Sequence, residues 1–319
     1  MSQITKDALV SVVTPSRNQA RFLEETLASV YAQDYRPIEH IVVDAASTDG
    51  SVEILRRWAD SHNDLTYRLE FTSEPDGGLG DGVNRGFGRA TGHIVGWLNA
   101  DDVYFGRTAI RSVVDALRSD PDVDVVYGDV ALISEDSGLW MIWCFPRFKY
   151  KRILRGYIIP QPTVFFRSHV TDVVRIDPEL PVAHDVFVWL TAGKKYKFKH
   201  LHRVQAADRD HSARMTYAVV DKWAVQRDEM YRSFGGSERR RFVTHNVDRM
   251  TRVLMRIKGA FYLLRLFSRS KWEQNIAFPI WIDSKMQVLK RQATMRILRR
   301  PKLIRPVTLQ QGTPGSSDT

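Results

Sequence analysis

The sequence has little that would mark a secreted or membrane-spanning protein. Its 319 residues include one cysteine, Cys144, so no internal disulfide can form, which fits a reducing cytosol. No stretch approaches the ~18 uninterrupted apolar residues that a membrane-spanning helix needs. The opening stretch MSQITKDALVSVV lacks a basic segment followed by a long apolar run, so we expect no secretory signal. These absences predict a cytoplasmic protein.

Two familiar phosphate-binding loops are also missing. The pattern G-x-x-x-x-G-K-[ST] does not occur. The stretch GGLGDG at residues 77–82 resembles a dinucleotide fingerprint only loosely, and it follows the third predicted strand instead of the first. A nucleotide bound by this chain would need another way to neutralise its phosphates. A metal ion held by carboxylates would provide it.

The composition allows a sizeable core, and the charge is unevenly distributed. Hydrophobic residues make up 43% of the chain and charged residues 26%, which is typical of a globular protein. The length suffices for one large α/β domain with an appendage, or for two domains. Residues 245–305 hold 15 Lys or Arg against 3 Asp or Glu, whereas the remainder holds 32 against 34. This asymmetry indicates an anionic partner for the C-terminal segment.

Strand and helix patterns alternate along the N-terminal half. The segments ALVSVVTP, IEHIVVDAAS, YRLEFTSEPDGG, HIVGWLN and VDVVYGDVALI are typical of strands. Between them, ARFLEETLASVYAQ, TDGSVEILRRWADS, LGDGVNRGFGRATG and TAIRSVVDALRSD are typical of helices. This alternation predicts an α/β fold with a mostly parallel central sheet and helices on both faces.

Polar residues follow each of the first four predicted strands. The strand ends read TPSRN, DAASTDG, SEPDGG and NADD. Ligands of open parallel sheets bind outside the carboxyl ends of the strands, so these residues are expected at one edge. Acids that converge there repel one another unless cations, hydroxyls or amides compensate them. The acids in question are Asp44, Asp49, Asp76, Asp81, Asp101 and Asp102.

The adjacent acids Asp101 and Asp102 allow two interpretations. Asn and Asp side chains suit a solvated turn because they bond to nearby backbone. A divalent cation with oxygen ligands would instead remove the repulsion between two neighbouring carboxylates. The convergence of acids from several strand ends favours the cation site.

Six segments of the chain together resemble a known family. They are VSVVTPSRNQARFLEETLASVYAQDY, HIVVDAASTDGSVEIL, SEPDGGLGDGVNRGF, ATGHIVGWLNADDVY, IIPQPTVFFR and HDVFVWLTA. In this order and near this spacing, they resemble glycosyltransferase family 2 over roughly residues 9–215. The resemblance implies a GT-A type, Rossmann-like fold and inverting transfer of a sugar from a nucleoside diphosphate sugar, with Mg²⁺ or Mn²⁺ as the cofactor.

The resemblance also implies residue roles. Asp101 and Asp102 match the metal-binding position of the family, although which of them binds the ion stays open. Asp185 matches the general base, and its alternative is a first-turn acid favoured by the helix dipole. The residues implied to contact the donor are Thr14, Pro15, Arg17, Asn18, Asp44, Ser47, Asp76, Asp81, Asn84, Asn99, Asp101 and His211.

Several of these residues have plainer alternatives or depart from the family pattern. His211 could instead be a loop histidine, and Asn84 could pack a turn instead of orienting the sugar. Asn99 stands where a full D-x-D motif has its first acid, so one ligand can be neutral. Arg17 replaces a frequent aromatic residue, and its planar guanidinium can also stack on a base. The Q-x-x-R-W signature of processive members is absent, which favours addition of a single sugar.

The C-terminal segment shows apolar residues at helical spacing among many arginines. A basic amphipathic helix of this kind suits an anionic membrane surface, and its alternative is a helix packed on the main domain. We predict a GT-A domain at 1–215, a helical basic extension at 216–306 and a disordered tail at 307–319. The predicted location is cytoplasmic, with peripheral binding to the inner face of the plasma membrane as a hypothesis.

The predicted membrane location bears on the type of acceptor, and two alternative functions stay open. A membrane location would suit a lipid-linked, glycolipid or cell-envelope glycan acceptor. No nucleic-acid recognition fold is found, so no nucleic-acid partner is predicted. The alternatives are a nucleotide-sugar-binding protein without catalysis and a nucleotidyltransferase on a similar sheet.

Overall fold

The computed structural model describes residues 4–177, 179–214, 220–236 and 257. Within these ranges, nine strands form one sheet in the order β3-β2-β1-β4-β8-β6-β9-β5, with β7 paired to β6. The strands are β1 (Val10–Ser16), β2 (Ile38–Asp44), β3 (Tyr67–Ser73), β4 (Ile94–Trp97), β5 (Val103–Tyr104), β6 (Val125–Ser134), β7 (Leu139–Trp143), β8 (Phe165–Arg167) and β9 (Phe198–Asp210).

The predicted parallel sheet is confirmed. β3, β2, β1 and β4 are neighbours and run parallel. β8 lies antiparallel between β4 and β6, so β6 and its parallel neighbour β9 point the same way as the first four strands. The remaining strands, β5 and β7, pair antiparallel with β9 and β6. Six strands therefore share one direction, and their carboxyl ends form one edge.

Helices cover both faces of the sheet, as predicted. They are α1 (Ala20–Tyr31), α2 (Ser51–His62), α3 (Leu79–Arg89), α4 (Ala109–Ser119), α5 (Tyr150–Ile153), α6 (Ser168–Val173), α7 (His184–Lys195) and α8 (Val220–Ser233). Side chains of α1, α2 and α4 share a core with Val10 and Val12 of β1. Val13 of β1 points the other way, into a core with α3, α6, α7 and α8. Because successive side chains of a strand alternate, this division explains why β1 is buried along its whole length.

Close packing explains Gly86 of α3. A Cβ added to Gly86 would lie 2.2 Å from Cγ1 of Val13, so only glycine lets the helix approach β1 this closely. Gly88, two residues on, has open space around it. The helix therefore forms despite a glycine-rich sequence because its tertiary contacts outweigh the low helix propensity.

Most of the predicted C-terminal extension and all of the predicted tail lie outside the described residues. Within 216–306 the structure describes only 220–236 and 257. Over the part of the chain that it does describe, no helix is long and apolar enough to cross a membrane.

Candidate active site

A cleft of about 570 Å³ opens at the carboxyl edge of the sheet. The ends of β1, β4 and β9 contribute to it, together with β7 and the first turn of α7. Seven residues predicted from the sequence line this cleft: Pro15, Arg17, Asp76, Asn99, Asp101, Asp102 and Asp185. The structure therefore brings the predicted metal ligands and the predicted base to one cavity.

The loop between β4 and β5 carries Asp101 and Asp102, and hydrogen bonds fix its shape. The Thr26 hydroxyl of α1 donates to the carbonyls of Ala100 and Asp102, at 2.9 and 2.8 Å. The side-chain amide of Asn99 donates to Gln161 Oε1 at 3.0 Å. The loop is therefore tied to a helix on one side and to the 3₁₀ turn Gln161–Thr163 on the other.

The Asp102 carboxylate is buried against other acids. Its side-chain Oδ1 accepts a hydrogen bond from the Arg209 backbone N–H at 3.0 Å, and the residue is only 4% exposed. Burial, followed by the charges of Asp101 and Asp208, holds the pKa of Asp102 well above its usual range. A negative charge is therefore unfavourable here unless a cation compensates it.

Asp101 is more accessible and has a histidine neighbour. Its Oδ2 lies 3.0 Å from His211 Nε2, and its side chain is 21% exposed while that of His211 is 2% exposed. The imidazole also lies against Phe22, with ring centroids 4.7 Å apart. His211 thus lies behind Asp101 and orients it, instead of facing the cleft itself.

Arg209 is a buried guanidinium that joins the loop between β4 and β5 to two other parts of the fold. Its Nε donates to the Asp101 carbonyl at 2.9 Å, and Nη2 pairs with Glu25 of α1. Nη1 donates to the Ser137 hydroxyl at 2.7 Å. The same residue contacts Asp102 through its backbone, so Arg209 fixes both residues of the acidic pair.

A second ion pair lines the cleft beside the acidic pair. Arg214 Nη2 lies 2.8 Å from Asp208 Oδ1. Burial raises the pKa of Asp208, and the charges of Asp101 and Asp210 add to this effect, while Arg214 opposes it. Burial also opposes the charge on Arg214, but Asp208, Asp102 and Asp101 outweigh it and raise the pKa of the guanidinium. Arg214 is therefore a permanent cation within the acidic cluster.

Asp185 lies in the first turn of α7. The helix begins after Ala183, whose φ of 58° is left-handed, and His184 Nε2 lies 2.8 Å from the Leu180 carbonyl. The Asp185 side chain is partly exposed to the cleft. Burial in this site raises its pKa from 3.8 to about 6. Such a carboxylate is ionised at neutral pH and is a stronger base than an ordinary aspartate.

The other predicted donor residues lie beside the cleft instead of lining it. Asp44 accepts hydrogen bonds from the Ser47 backbone and hydroxyl, at 2.9 and 2.5 Å, and from Ser73 at 2.7 Å. Ser47 in turn accepts from the Asn18 backbone N–H at 2.7 Å. Thr14 bonds to the buried ring of His40 at 3.0 Å. These residues tie the loops after β1 and β2 together.

Asp81 and Asn84 have structural partners of their own. Asp81 pairs with Arg85 at 2.9 Å and accepts from the Gly77 backbone N–H at 3.0 Å. Asn84 both donates to and accepts from the backbone of Ile176, at 2.7 and 2.9 Å. Their predicted roles toward the sugar stay predictions.

Three residues of the site escaped the sequence interpretation: Asp208, Arg209 and Arg214. Asp208 and Arg209 lie at the end of β9, where charged residues interrupt the apolar pattern, and Arg214 follows the strand, which was not predicted. The rule that strand ends carry ligands would have found them if β9 had been recognised.

The carboxylates that line the cleft can take part in binding a divalent ion, but they do not form a complete metal site by themselves. Among the residues that the structure describes, no group of three or more His, Cys, Asp or Glu is arranged as a metal site. Mg²⁺ in proteins is often held by one or two carboxylates together with substrate phosphates. The Asp101 and Asp102 pair fits that pattern, since both are oxygen ligands and Asp102 lacks full charge compensation.

Comparison with known proteins decides the family. The family model described as Glycosyl transferase family 2 matches residues 11–173, about half of the chain. This chain belongs to glycosyl transferase family 2. This family 2 protein is therefore a glycosyltransferase, as the sequence predicts.

Named relatives agree with this assignment. An uncharacterised glycosyltransferase of Mycobacterium tuberculosis is 36% identical over 185 residues, which cover 57% of this family 2 chain and 68% of the relative. An uncharacterised glycosyltransferase of Rickettsia typhi is 24% identical over 234 residues, 70% of each chain.

Solved structures support the predicted GT-A type fold. The S. aureus TarS fragment 1–349 in complex with UDP-GlcNAc matches with a TM-score of 0.52 and 19% identity, over 66% of this chain and 60% of that one. The mannosyltransferase PcManGT from Pyrobaculum calidifontis, in complex with GDP-Man and Mn²⁺, matches with a TM-score of 0.54 and 24% identity, over 70% and 64%. The chain thus spans less than two thirds of either neighbour.

Proposed function

We propose that this enzyme transfers one sugar, with inversion, from a nucleoside diphosphate sugar to an acceptor hydroxyl. The observation that carries the proposal is the convergence of Asp101, Asp102 and Asp185 on a single cleft at the carboxyl edge of the sheet. We assign the catalytic domain to residues 1–215 and the basic extension to 216–306, followed by the tail at 307–319.

The donor would occupy the end of the cleft formed by the loops after β1, β3 and β4. Pro15, Arg17 and Asp76 line that end. The two structural neighbours were solved with UDP-GlcNAc and with GDP-Man and Mn²⁺, which supports a nucleotide sugar as the donor class. Arg17 can stack on the base through its planar guanidinium.

Asp101 and Asp102 are the residues that would hold Mg²⁺ or Mn²⁺. When bound, the ion neutralises charge on the diphosphate leaving group. Arg209 and His211 hold the two carboxylates in place from behind. Arg214 adds a fixed positive charge on the same wall of the cleft.

Asp185 would act as the general base. Its carboxylate takes the proton of the acceptor hydroxyl while the oxygen attacks the anomeric carbon and the bond to the diphosphate breaks. One displacement without a covalent intermediate inverts the anomeric configuration. General-base catalysis typically contributes ~10²–10⁴-fold in rate.

Donor binding and hydrolysis test this proposal without a known acceptor. UDP-, GDP- and dTDP-sugars are screened with Mn²⁺, and water replaces the acceptor. We expect Asp185→Asn to bind the donor as the unchanged enzyme does, and to hydrolyse it at least ~10²-fold more slowly. Undiminished hydrolysis by Asp185→Asn would exclude this residue as the base.

We further propose a lipid-linked or cell-envelope glycan acceptor and peripheral membrane binding through the basic extension. The charge excess of residues 245–305 supports it, because each Lys or Arg near an anionic surface contributes ~1 kcal/mol. The fraction of enzyme that floats with anionic liposomes should decrease when residues beyond Thr244 are removed, while the rate of donor hydrolysis should stay unchanged. Equal flotation of both forms would contradict membrane binding by this segment.

A further inference from the structure

A strongly basic segment lies beside the cleft and has no part in the chemistry described so far. Five cations fall within nine residues: Arg147, Lys149, Lys151, Arg152 and Arg155. The sequence holds no acid between Asp136 and Asp172 that could balance them locally. We call this segment, residues 147–155, the basic lip.

Within the described part of the chain, the cations of the basic lip have no carboxylate partner. Across the residues that the structure describes, no ion pair joins any of the five to an acid. Arg152 donates to the Arg147 carbonyl at 3.0 Å, which orients the guanidinium without neutralising it. Exposed arginines elsewhere among the described residues do lie near acids, for example Arg56 near Glu53 and Arg57 near Glu24. Among the described residues, the lip is therefore a concentration of positive charge that no carboxylate compensates.

The lip adjoins the cleft directly. Arg147, Lys149 and Arg152 line a small hollow together with Phe145, Ile158 and Ile159. The last three residues also line the cleft, so the two hollows share a wall. A ligand in the cleft can therefore reach the lip by passing over this apolar wall.

The lip is also held against the helix that carries Asp185. A Cβ on Gly193 of α7 would lie 2.9 Å from the rings of Phe148 and Tyr150, so glycine is what allows this close contact. Phe148 further stacks on Phe198 of β9, with ring centroids 4.1 Å apart. The position of the positive charges relative to the base is therefore fixed by packing.

The wall between the base and the lip is apolar. Besides Phe145, Ile158 and Ile159, it includes Trp143 and Pro160. Trp143 and Phe145 are partly exposed, so their rings are available to a ligand. Apolar surface next to uncompensated cations fits a molecule with an apolar part and a negative group.

We infer that the acceptor is an amphiphile whose phosphate group binds the basic lip while its apolar part lies on the shared wall. This inference rests on the proposed function, because it assigns this side of the cleft to the acceptor. Charge complementarity argues for phosphate, which Arg and Lys both bind well.

Three probe molecules distinguish the contribution of the phosphate group from that of the apolar part. Binding of dodecyl phosphate, dodecyl maltoside and inorganic phosphate is measured by calorimetry below the critical micelle concentrations, with the full chain. We expect dodecyl phosphate to bind at least about tenfold more tightly than either of the others. Equal affinity for the neutral detergent would contradict the charge argument, and equal affinity for inorganic phosphate would contradict an amphiphilic ligand.

Two sets of variants locate the binding. We expect the triple variant Arg147→Gln, Lys149→Gln, Arg152→Gln to lose about tenfold in affinity for dodecyl phosphate. A control that removes three exposed cations elsewhere should keep the affinity: Arg56→Gln, Arg57→Gln, Arg68→Gln. Equal loss in both triple variants would show a nonspecific charge effect and overturn the inference.

A third variant distinguishes the shared wall from the outer surface. Phe145→Ala should also weaken binding of dodecyl phosphate severalfold, with the melting temperature measured to confirm folding. Unchanged affinity would place the ligand on the outside of the lip, as for a membrane surface, and would contradict the acceptor assignment. UDP and GDP binding with Mn²⁺ is measured in parallel, so that a failure of the proposed donor function is recognised separately.

Discussion

Replacing Asp185 by asparagine should stabilise this enzyme at neutral pH even though it removes the proposed base. Burial raises the pKa of Asp185 from 3.8 to about 6. A rise of this size corresponds to about 3 kcal/mol of penalty on the ionised form in the folded protein. Because the side chain is partly exposed in the cleft, solvent screening reduces the expected gain to about 1–2 kcal/mol.

The sign of this effect depends on pH. The folded pKa lies above the unfolded one, so the carboxylate does not weaken the fold below pH 3.8 and weakens it fully above about pH 6. The gain from Asp185→Asn should therefore be largest at pH 7.5 and fall to about a third of that at pH 4.5. In a protein of this size it amounts to about 2–6 °C in melting temperature.

Thermal unfolding without metal or nucleotide tests this reasoning. Wild type and Asp185→Asn are compared at intervals from pH 4.5 to 7.5. Asp122→Asn provides the control, because the Asp122 side chain is 84% exposed and should show no such pH dependence. A melting temperature of Asp185→Asn that equals or falls below that of wild type at pH 7.5 would refute the argument, as would a gain that does not shrink at low pH.

Three further predictions concern pH, positioning and packing. Donor hydrolysis should fall about tenfold per pH unit below pH 6, where Asp185 takes up a proton, and a flat profile would exclude its role as base. Arg209→Lys should weaken Mn²⁺ binding about tenfold in titrations followed by electron paramagnetic resonance, whereas Arg167→Lys, which alters another buried arginine, should leave it unchanged. Gly86→Ala should destabilise the protein by about 1–3 kcal/mol, because its Cβ would overlap Val13. Gly88→Ala in the same helix should instead stabilise it by about 0.5–1 kcal/mol in urea titrations. A stabilised Gly86→Ala variant or a destabilised Gly88→Ala variant would contradict the packing of α3.

The parts of the fold that the sequence predicts are those with long, regular patterns. β1, β2 and β4 are rich in apolar and β-branched residues and almost wholly buried, because both of their faces are covered. β5 has two residues and β8 three, which is too short for any period to appear. β9 is long, but histidines and arginines interrupt its alternation, because it carries buried polar contacts such as Arg209 to Glu25.

For the candidate site, the sequence predicts where residues lie but not how their side chains are oriented. The strand-end rule placed Asp44, Asp76 and Asp101 at one edge, and the structure confirms that edge. It cannot say where a side chain points: Asp44 bonds to Ser47 and Ser73, whereas Asp76 and Asp101 line the cleft. Orientation depends on partners distant in sequence, which no local pattern contains.

The most direct test of the proposed function is whether nucleotide binding requires a divalent ion held by Asp101. Calorimetric titrations of UDP and GDP are performed with Mn²⁺ and with EDTA, on wild type and on Asp101→Asn. We predict that at least one nucleotide binds to wild type at least about tenfold more tightly with Mn²⁺, and that Asp101→Asn loses this difference. Nucleotide affinity that is equal with Mn²⁺ and with EDTA, or a metal effect that survives in Asp101→Asn, would contradict it.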